Sequence, residues 1–249
     1  MIKLIENVRE ALNAATHAVP VKEKIQYLNR LMEIGYFAVD IGKYDSNENN
    51  EIEEIIFSID KKDTQILIFA DTEENYYRAI KNPGIDLVEI PFSLLNKLEE
   101  VSSEKTIIDF PIDFGVAHIF DDIQFQDSLK YCKRTGIQKI NFYNNTGDIM
   151  ENSIGILFRN CISHYPEIEF GSRFYSEEKK YRLIFDLTYS SGCRLFETSI
   201  NGWAKNETGT ITPTEKIVTY LTSVKEKNGI NTLVLESAYN IAKKIFSGF

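Results

Sequence analysis

The sequence predicts an α/β protein, a (β/α)8 TIM barrel in a single domain over residues 1–249 with an extra C-terminal helix. Three observations support this prediction. Eight short, apolar, β-rich runs alternate with helical patterns, an order typical of parallel strands joined by helices. The chain of 249 residues has the usual length of one such barrel. Its 43% of hydrophobic residues are enough for a large core, and no Pro-, Gly- or Ser-rich linker divides it.

The predicted strands and the main helices follow one another in a regular order. The eight strand runs cover residues 2–8, 36–41, 65–70, 86–90, 106–110, 139–143, 167–174 and 194–200. Four helical patterns lie between them, at residues 21–34, 121–135, 148–164 and 177–191. Eight such units predict closure of the parallel sheet into a barrel.

The remaining helices are less regular. The helix after the third strand is short, and so is the one after the fourth, at residues 94–101. Two helices close the chain, at 213–226 and 231–246, and the second has apolar residues at a helical spacing that indicates a packed face. Several helices end at a glycine, which accepts the left-handed conformation that follows a helix. These glycines are Gly35, Gly136, Gly192 and Gly229.

Composition excludes several function classes. The 28 Lys and Arg residues against 37 Asp and Glu give a net charge of −9, which argues against nucleic acid and against an acidic membrane surface as partners. No apolar run approaches the roughly 20 residues that span a bilayer. Three cysteines far apart in sequence, Cys132, Cys161 and Cys193, are typical of a reduced compartment and of small core residues. We expect a soluble, cytoplasmic protein.

Six short motifs occur at the ends of the predicted strands and helices. They are Val-Arg-Glu-Ala-Leu-Asn at residues 8–13, Pro-Val-Lys-Glu-Lys at 20–24, Ala-Val-Asp-Ile-Gly at 38–42, Asn-Asn-Thr-Gly at 144–147, Glu-Thr-Ser-Ile-Asn-Gly at 197–202 and Gly-Ile-Asn at 229–231. In order and spacing they resemble the motifs of the HMG-CoA lyase-like superfamily. That superfamily includes isopropylmalate and homocitrate synthases, and the resemblance runs nearly end to end.

The resemblance implies a divalent metal that stabilises an enolate formed from a keto acid or a related substrate. The implied ligands are an Asp after the first strand, two His on the seventh and an Asn after the eighth. Carried over, they fall on Glu10, Ser172, Phe174 and approximately Gly209. Of these only Glu10 could bind a metal, and the three histidines of the chain, His17, His118 and His164, lie elsewhere. We therefore expect neither a metal nor another cofactor.

The candidate catalytic residues are Arg9, Glu10 and Asp40. The resemblance implies that Arg9 polarises a substrate carbonyl or stabilises an enolate; the alternative is an Arg–Glu pair in the barrel mouth. Glu10 or Asp40 would handle protons. The candidate substrate-binding residues are Asn13, Asn144, Asn145, Thr146, Arg173, Asn201 and Lys205.

Two of these substrate-binding candidates have alternatives of their own. Arg173 could replace part of the metal's electrostatics, but its alternation with Ser172 and Phe174 favours a side chain that points away from the lumen. Lys205 could hold a carboxylate or phosphate, or be a solvated loop lysine.

Acidic residues recur at or near the C-terminal ends of the predicted strands. They are Asp40, Asp71, Glu89, Asp109, Asp113 and Glu197. Several could crowd a polar mouth, where close carboxylates split their pKa values and serve as an acid–base pair. For any single one, capping of the next helix is the stronger interpretation, as Asp71 before Thr72 suggests.

Two functional hypotheses follow. The first is a carbon–carbon lyase, an aldolase or an acyl-condensing enzyme that acts on a small keto or hydroxy acid without the usual metal. The second is a pseudoenzyme that binds a small anionic ligand, or a catalytic homologue, without turnover. The resemblance also implies a homodimer. Fold alone does not decide between these hypotheses.

Overall fold

The computed structural model describes residues 1–45, 50–116, 118–144, 150–207 and 209–246. In this part of the chain eight parallel strands close into a barrel, which confirms the predicted fold class. Its strands are β1 (Lys3–Asn7), β2 (Ala38–Lys43), β3 (Gln65–Phe69), β4 (Leu87–Pro91), β5 (Thr106–Ile112), β6 (Lys139–Asn144), β7 (Glu169–Arg173) and, after a short strand outside the barrel, β9 (Leu195–Thr198). The barrel closes where Lys3 of β1 pairs with Leu195 of β9.

Helices surround the barrel. They are α1 (Val8–Asn13), α2 (Val21–Met32), α3 (Asn50–Ser58), α4 (Glu73–Lys81), α5 (Phe92–Leu95), α6 (Ile123–Arg134), α7 (Glu151–His164), α8 (Tyr181–Ser190), α9 (Thr214–Ser223) and α10 (Thr232–Phe246). The C-terminal helix α10 packs against α2, with the rings of Phe246 and Tyr27 at 5.8 Å. Within the described ranges, no helix has the length and apolarity needed to cross a membrane.

The structure corrects the predicted elements at three places. The helix expected at residues 94–101 is a single turn, Phe92–Leu95. Two helices, α1 and α3, were not predicted. The first begins directly at the end of β1, because the side chain of Asn7 accepts a hydrogen bond from the Glu10 N–H at 2.9 Å and caps the helix.

A small antiparallel sheet beside the barrel was also not predicted. In the described residues it consists of β8 (Tyr175–Ser176), β10 (Lys205–Asn206) and β11 (Gly209–Ile211), in the order β10-β11-β8. It joins the segment that follows β7 to the segment that follows β9. The side sheet therefore lies at the C-terminal end of the barrel, where barrel enzymes carry their active sites.

The core has two parts. The larger one lies between the strands and the helices, and the smaller one fills the barrel interior. This interior layer consists of Ile5, Ala38, Leu67, Leu87, Ile107 and Leu195. Since side chains alternate across a strand, the residue two positions further along each strand also points into the barrel, one layer nearer to the C-terminal end.

Candidate functional site

The layer above the apolar interior is polar. Two residues beyond Ile5, Ala38, Leu87, Ile107 and Leu195, the strands carry Asn7, Asp40, Glu89, Asp109 and Glu197, and all five are buried. Asn141 of β6 belongs to the same layer, since its amide bonds Glu197. Four of the six acidic residues considered in the sequence therefore meet inside the barrel.

Arg173 lies at the centre of this layer. Its Nη2 donates to Asp109 Oδ2 at 2.7 Å, and its Nη1 donates to Glu89 Oε2 at 3.2 Å and to Glu197 Oε2 at 3.4 Å. Its guanidinium also lies 4.8 Å from the ring centroid of Tyr143. The expectation that Arg173 points away from the lumen is wrong.

Arg173 points into the lumen because of the register of β7. Ser172 is buried on the outer side of the strand, beside Cys193, and the Phe174 ring packs 5.0 Å from Phe114 among the residues between strand and helices. Gly171 and Arg173 therefore face the lumen, one residue away from the positions assumed from the resemblance.

Arg9 approaches the same layer from helix α1. Its Nε donates to Asp40 Oδ2 at 2.8 Å, its Nη2 to Glu89 Oε2 at 3.0 Å and its Nη1 to Glu10 Oε1 at 2.5 Å. The guanidinium lies 4.4 Å from the ring centroid of Phe69. The structure thus brings together Arg9, Glu10 and Asp40, the three residues predicted to be catalytic.

Glu197 and Glu89 form a pair of close acidic side chains. Glu197 accepts hydrogen bonds from Asn7 Nδ2 at 2.7 Å and from the amide of Asn141. Burial, and then the neighbouring Glu89, raise the pKa of Glu197 well above its ordinary value. For Glu89 burial also acts to raise the pKa, but the guanidiniums of Arg173 and Arg9 and a hydrogen bond to Glu197 lower it overall. These two shifts favour a protonated Glu197 beside an ionised Glu89.

Two further carboxyls, those of Asp109 and Asp40, have pKa values near neutral pH. Burial raises the pKa of Asp109 to about 7, with Arg173 opposing the shift and Glu89 adding to it. Burial likewise raises the pKa of Asp40 to about 7, with Arg9 opposing and Glu89 adding. Groups with such values can give or take a proton at physiological pH.

Asp109 lines a cavity whose described lining does not include Asp40. A cavity of about 300 Å³ opens above the polar layer. It is lined by Arg9, Glu10, Phe69, Asp109, Tyr143, Asn144, Arg173, Tyr175 and Asn206. Asp109 Oδ1 and Arg173 Nε are buried and have no hydrogen-bond partner among the described residues. An acceptor and a donor are therefore available beside this cavity.

The predicted substrate-binding residues are only partly assembled here. Arg173 and Asn144 line the cavity, although Asn144 also exchanges two hydrogen bonds with the backbone of Tyr175, at 2.8 and 2.9 Å. Asn13 lines a separate cavity of about 440 Å³ on the other side of Arg9. Asn145 and Thr146 lie outside the described residues.

The last two candidates, Asn201 and Lys205, are exposed. The Asn201 N–H donates to the Glu215 carboxylate at 3.0 Å, away from the central cavity. Lys205 lies on β10 of the side sheet, where the next residue, Asn206, reaches the cavity wall.

Two acidic residues considered with the mouth lie outside the polar layer. Asp71 is exposed and pairs with Lys43 at 2.7 Å, while Thr72 caps α4, so the expected cap at Asp71 is wrong. Asp113 accepts a hydrogen bond from the Gly115 N–H at 2.9 Å in a turn. All three cysteines are buried in the core, as expected.

The described residues of the mouth do not form a ligand set for a divalent metal. No group of three or more His, Cys, Asp or Glu side chains among the described residues has a suitable arrangement. Each of the five described mouth carboxyls already pairs with a guanidinium through one of its oxygens, which leaves fewer oxygens for a metal. At Gly209 no side chain fits, since an added Cβ would lie 2.4 Å from the Ser176 carbonyl oxygen.

Known proteins resemble this chain in structure. No family model and no curated protein sequence matches it. An HMG-CoA lyase from Acinetobacter baumannii, solved in complex with coenzyme A and 3-methylmalate, has a TM-score of 0.80 at 15% identity and covers 98% of this chain and 91% of its own. The HMG-CoA lyase from Pseudomonas aeruginosa has a TM-score of 0.80 at 14% identity and covers 98% of this chain and 92% of its own. The enzyme from Brucella melitensis has a TM-score of 0.76 at 13% identity and covers 99% of each chain. At these identities the likeness establishes the fold alone.

Proposed function

The chain shares the barrel fold of the HMG-CoA lyases, and from the chemistry of its mouth we propose a carbon–carbon lyase of aldolase type. Its substrate would be a small hydroxy or keto acid, and it would work without a divalent metal. One observation carries the proposal: two ion pairs, Arg9 with Glu10 and Arg173 with Asp109, line a single cavity of about 300 Å³. This set contains two positive charges for an oxyanion and two carboxyls for proton transfer.

The proposed reaction cleaves the bond between a hydroxyl-bearing carbon and the carbon next to a carbonyl. Glu10 accepts the hydroxyl proton, the hydroxyl carbon becomes a carbonyl, and the electron pair of the broken bond forms an enolate on the other fragment. The N–H groups of Arg9 and Arg173 stabilise the enolate oxygen. Asp109 then donates its proton to the enolate carbon. Glu10 releases its proton to solvent and Asp109 takes one up, so that protons balance.

Asp40 has a positioning role in this proposal. Its side chain is fully buried and holds the Arg9 Nε at 2.8 Å, while its other oxygen accepts from the Gly42 N–H at 3.3 Å. It orients the guanidinium that meets the substrate. Because it does not line the cavity, it does not exchange protons with the substrate directly.

The test is turnover of 4-hydroxy-2-oxo acids in the presence of EDTA, with the released keto acid followed by NMR. The reverse reaction is assayed with pyruvate and small aldehydes. Wild type should turn over at least one compound, and Arg9→Ala should abolish this activity. His17→Ala, which changes an exposed residue outside the cavity, is the control and should leave it intact. Absence of turnover throughout would contradict the proposal.

A second candidate is a binding protein without turnover. The observation that favours it is that Arg9 and Arg173 already donate to carboxylates of the chain itself. In this case the network serves the scaffold, and the protein binds a ligand or pairs with a catalytic homologue. Thermal stabilisation by pyruvate without turnover, or a stable complex with an HMG-CoA lyase in size-exclusion chromatography, would support this second candidate.

A further inference from the structure

The ion pair between Asp109 and Arg173 borders the central cavity. Asp109 Oδ2 accepts from Arg173 Nη2 at 2.7 Å, and Asp109 is 5% exposed. The second oxygen of Asp109 has no hydrogen-bond partner among the described residues. A carboxylate of the chain thus occupies the guanidinium edge that an anionic ligand in this cavity would use.

The charges around this ion pair disfavour the binding of another anion. In the described part of the mouth, the carboxyls of Glu10, Asp40, Glu89, Asp109 and Glu197 accompany only two guanidiniums. The charged groups that act on Asp109 are Arg173 of β7, Glu89 of β4, Glu197 of β9 and Arg9 of α1. Tyr143 and Tyr175 line the same cavity. Adding one more negative charge here is costly unless a proton enters with it.

From this geometry we infer that Asp109 is an internal competitor of the ligand: a ligand carboxylate or enolate oxygen replaces Asp109 on Nη2 of Arg173, and Asp109 takes up one proton from solvent. The exchange makes Asp109 a specificity-determining residue for anions. It rests on the proposed function, because it assumes that the central cavity binds the substrate. It also prepares Asp109 as the proton donor of the proposed reaction.

The protonation state of Asp109 makes this exchange feasible near neutral pH. Burial raises the pKa of Asp109 to about 7, so its protonated form is readily accessible there. When Arg173 is taken by a ligand, the main group that opposes this shift is lost to Asp109, and its protonated form becomes more favourable still. The ligand and the proton therefore bind together.

The experiment is calorimetric titration with pyruvate at pH 6.5 and 8.5, in buffers of different ionisation enthalpy so that bound protons are counted. Wild type should take up close to one proton per pyruvate at pH 8.5. Its affinity should fall about tenfold per pH unit above pH 7, as a linked proton requires. Asp109→Asn should bind pyruvate more tightly than wild type at pH 8.5 and lose this pH dependence, since Asn leaves the guanidinium without a competing charge.

Asp40→Asn is the matched control. It also removes one carboxylate charge from the network, but this carboxylate pairs with Arg9 and not with Arg173. If it tightens binding as much as Asp109→Asn, or if wild type binds pyruvate with no proton uptake, the inference is overturned. Proton uptake by wild type without tighter pyruvate binding by Asp109→Asn also overturns the inference. If turnover is observed in these cases, the proposed function survives. If no protein binds pyruvate at either pH, the inference fails, and the proposed function fails with it only if turnover is absent as well.

Discussion

Arg9 and Arg173 donate to the same oxygen atom: Oε2 of Glu89 lies 3.0 Å from Arg9 Nη2 and 3.2 Å from Arg173 Nη1. Two guanidiniums that approach this closely repel each other, and the shared carboxylate offsets that repulsion. It is also why the pKa of Glu89 is lowered although the residue is fully buried. The arrangement makes Glu89 the bridge between the two arginines of the mouth.

Substitution of this bridge should destabilise the fold. Glu89→Gln removes the shared negative charge and leaves two buried guanidiniums side by side, which should lower the free energy of unfolding by about 3–5 kcal/mol. Glu33→Gln is the matched control, since Glu33 forms an exposed pair with Arg30 at 2.7 Å. We expect a change of at most about 1 kcal/mol there. Urea denaturation measures the free energy of unfolding of both variants. An equal loss in Glu89→Gln and Glu33→Gln would contradict the bridging role of Glu89.

Stability should fall as pH rises toward 8. Burial raises the pKa of Glu6 to about 8, and the pKa values of Asp40 and Asp109 to about 7, whereas carboxyls in the unfolded chain have pKa values of about 4. Between about pH 4 and these raised values the folded state binds more protons than the unfolded state. The stability that these groups contribute is therefore present below about pH 4 and lost as pH rises through their folded-state pKa values.

Urea denaturation at pH 5.5, 6.5 and 7.5 tests this dependence. Each group lowers the free energy of unfolding by up to about 1.4 kcal/mol per pH unit. Glu6→Gln keeps an oxygen that can accept from the Ile200 N–H, which donates to Glu6 at 2.7 Å. This variant should remove the contribution of Glu6 to the decrease of the free energy of unfolding with pH. A stability that is constant or rises over this range would contradict the raised pKa values.

Asp109→Asn should separate catalysis from binding. The amide cannot donate a proton to the enolate carbon, so kcat should fall about 10²- to 10⁴-fold, while pyruvate binding is retained. Asp113→Asn is the control, since Asp113 follows the same strand but accepts its hydrogen bond in a turn. Steady-state kinetics on the active substrate gives the comparison. A KM increase with unchanged kcat in Asp109→Asn would show that Asp109 acts in binding alone.

Placing histidines at the positions that the resemblance suggests should not create a metal site. In Ser172→His/Phe174→His both rings would point between β7 and the helices, where Phe174 packs 5.0 Å from Phe114. Loss of this packing should cost about 3 kcal/mol or more, whereas Phe57→His at an exposed position should be nearly neutral. Zinc titration by calorimetry should show no stoichiometric binding. A bound zinc ion would mean that this side of β7 faces the lumen.

Much of the polar layer was open to prediction from the sequence. An apolar residue followed two positions later by an acid recurs on four strands: Ala38 and Asp40, Leu87 and Glu89, Ile107 and Asp109, Leu195 and Glu197. Since period-2 alternation puts both members of a pair on one face, this pattern indicates acids above an apolar interior. A helix-cap interpretation of each acid by itself does not use this repeat.

Other features could not be obtained in this way. The orientation of Arg173 depends on the register of β7, and taking Ser172 and Phe174 as inward-facing reversed it. The side sheet has strands of two or three residues, too short to give a periodic signal. Asn7 is both a strand residue and a helix cap, and only the backbone geometry reveals the second role.

The side sheet has a consequence for how the mouth can open. Ile211 pairs with Tyr175 and Thr210 with Ser176, so the segments after β7 and β9 share one ladder of backbone hydrogen bonds. They should therefore exchange their amide hydrogens as a single cooperative unit, because neither segment can lift without breaking the bonds of the other. An insertion in one of them has to be accommodated by the other.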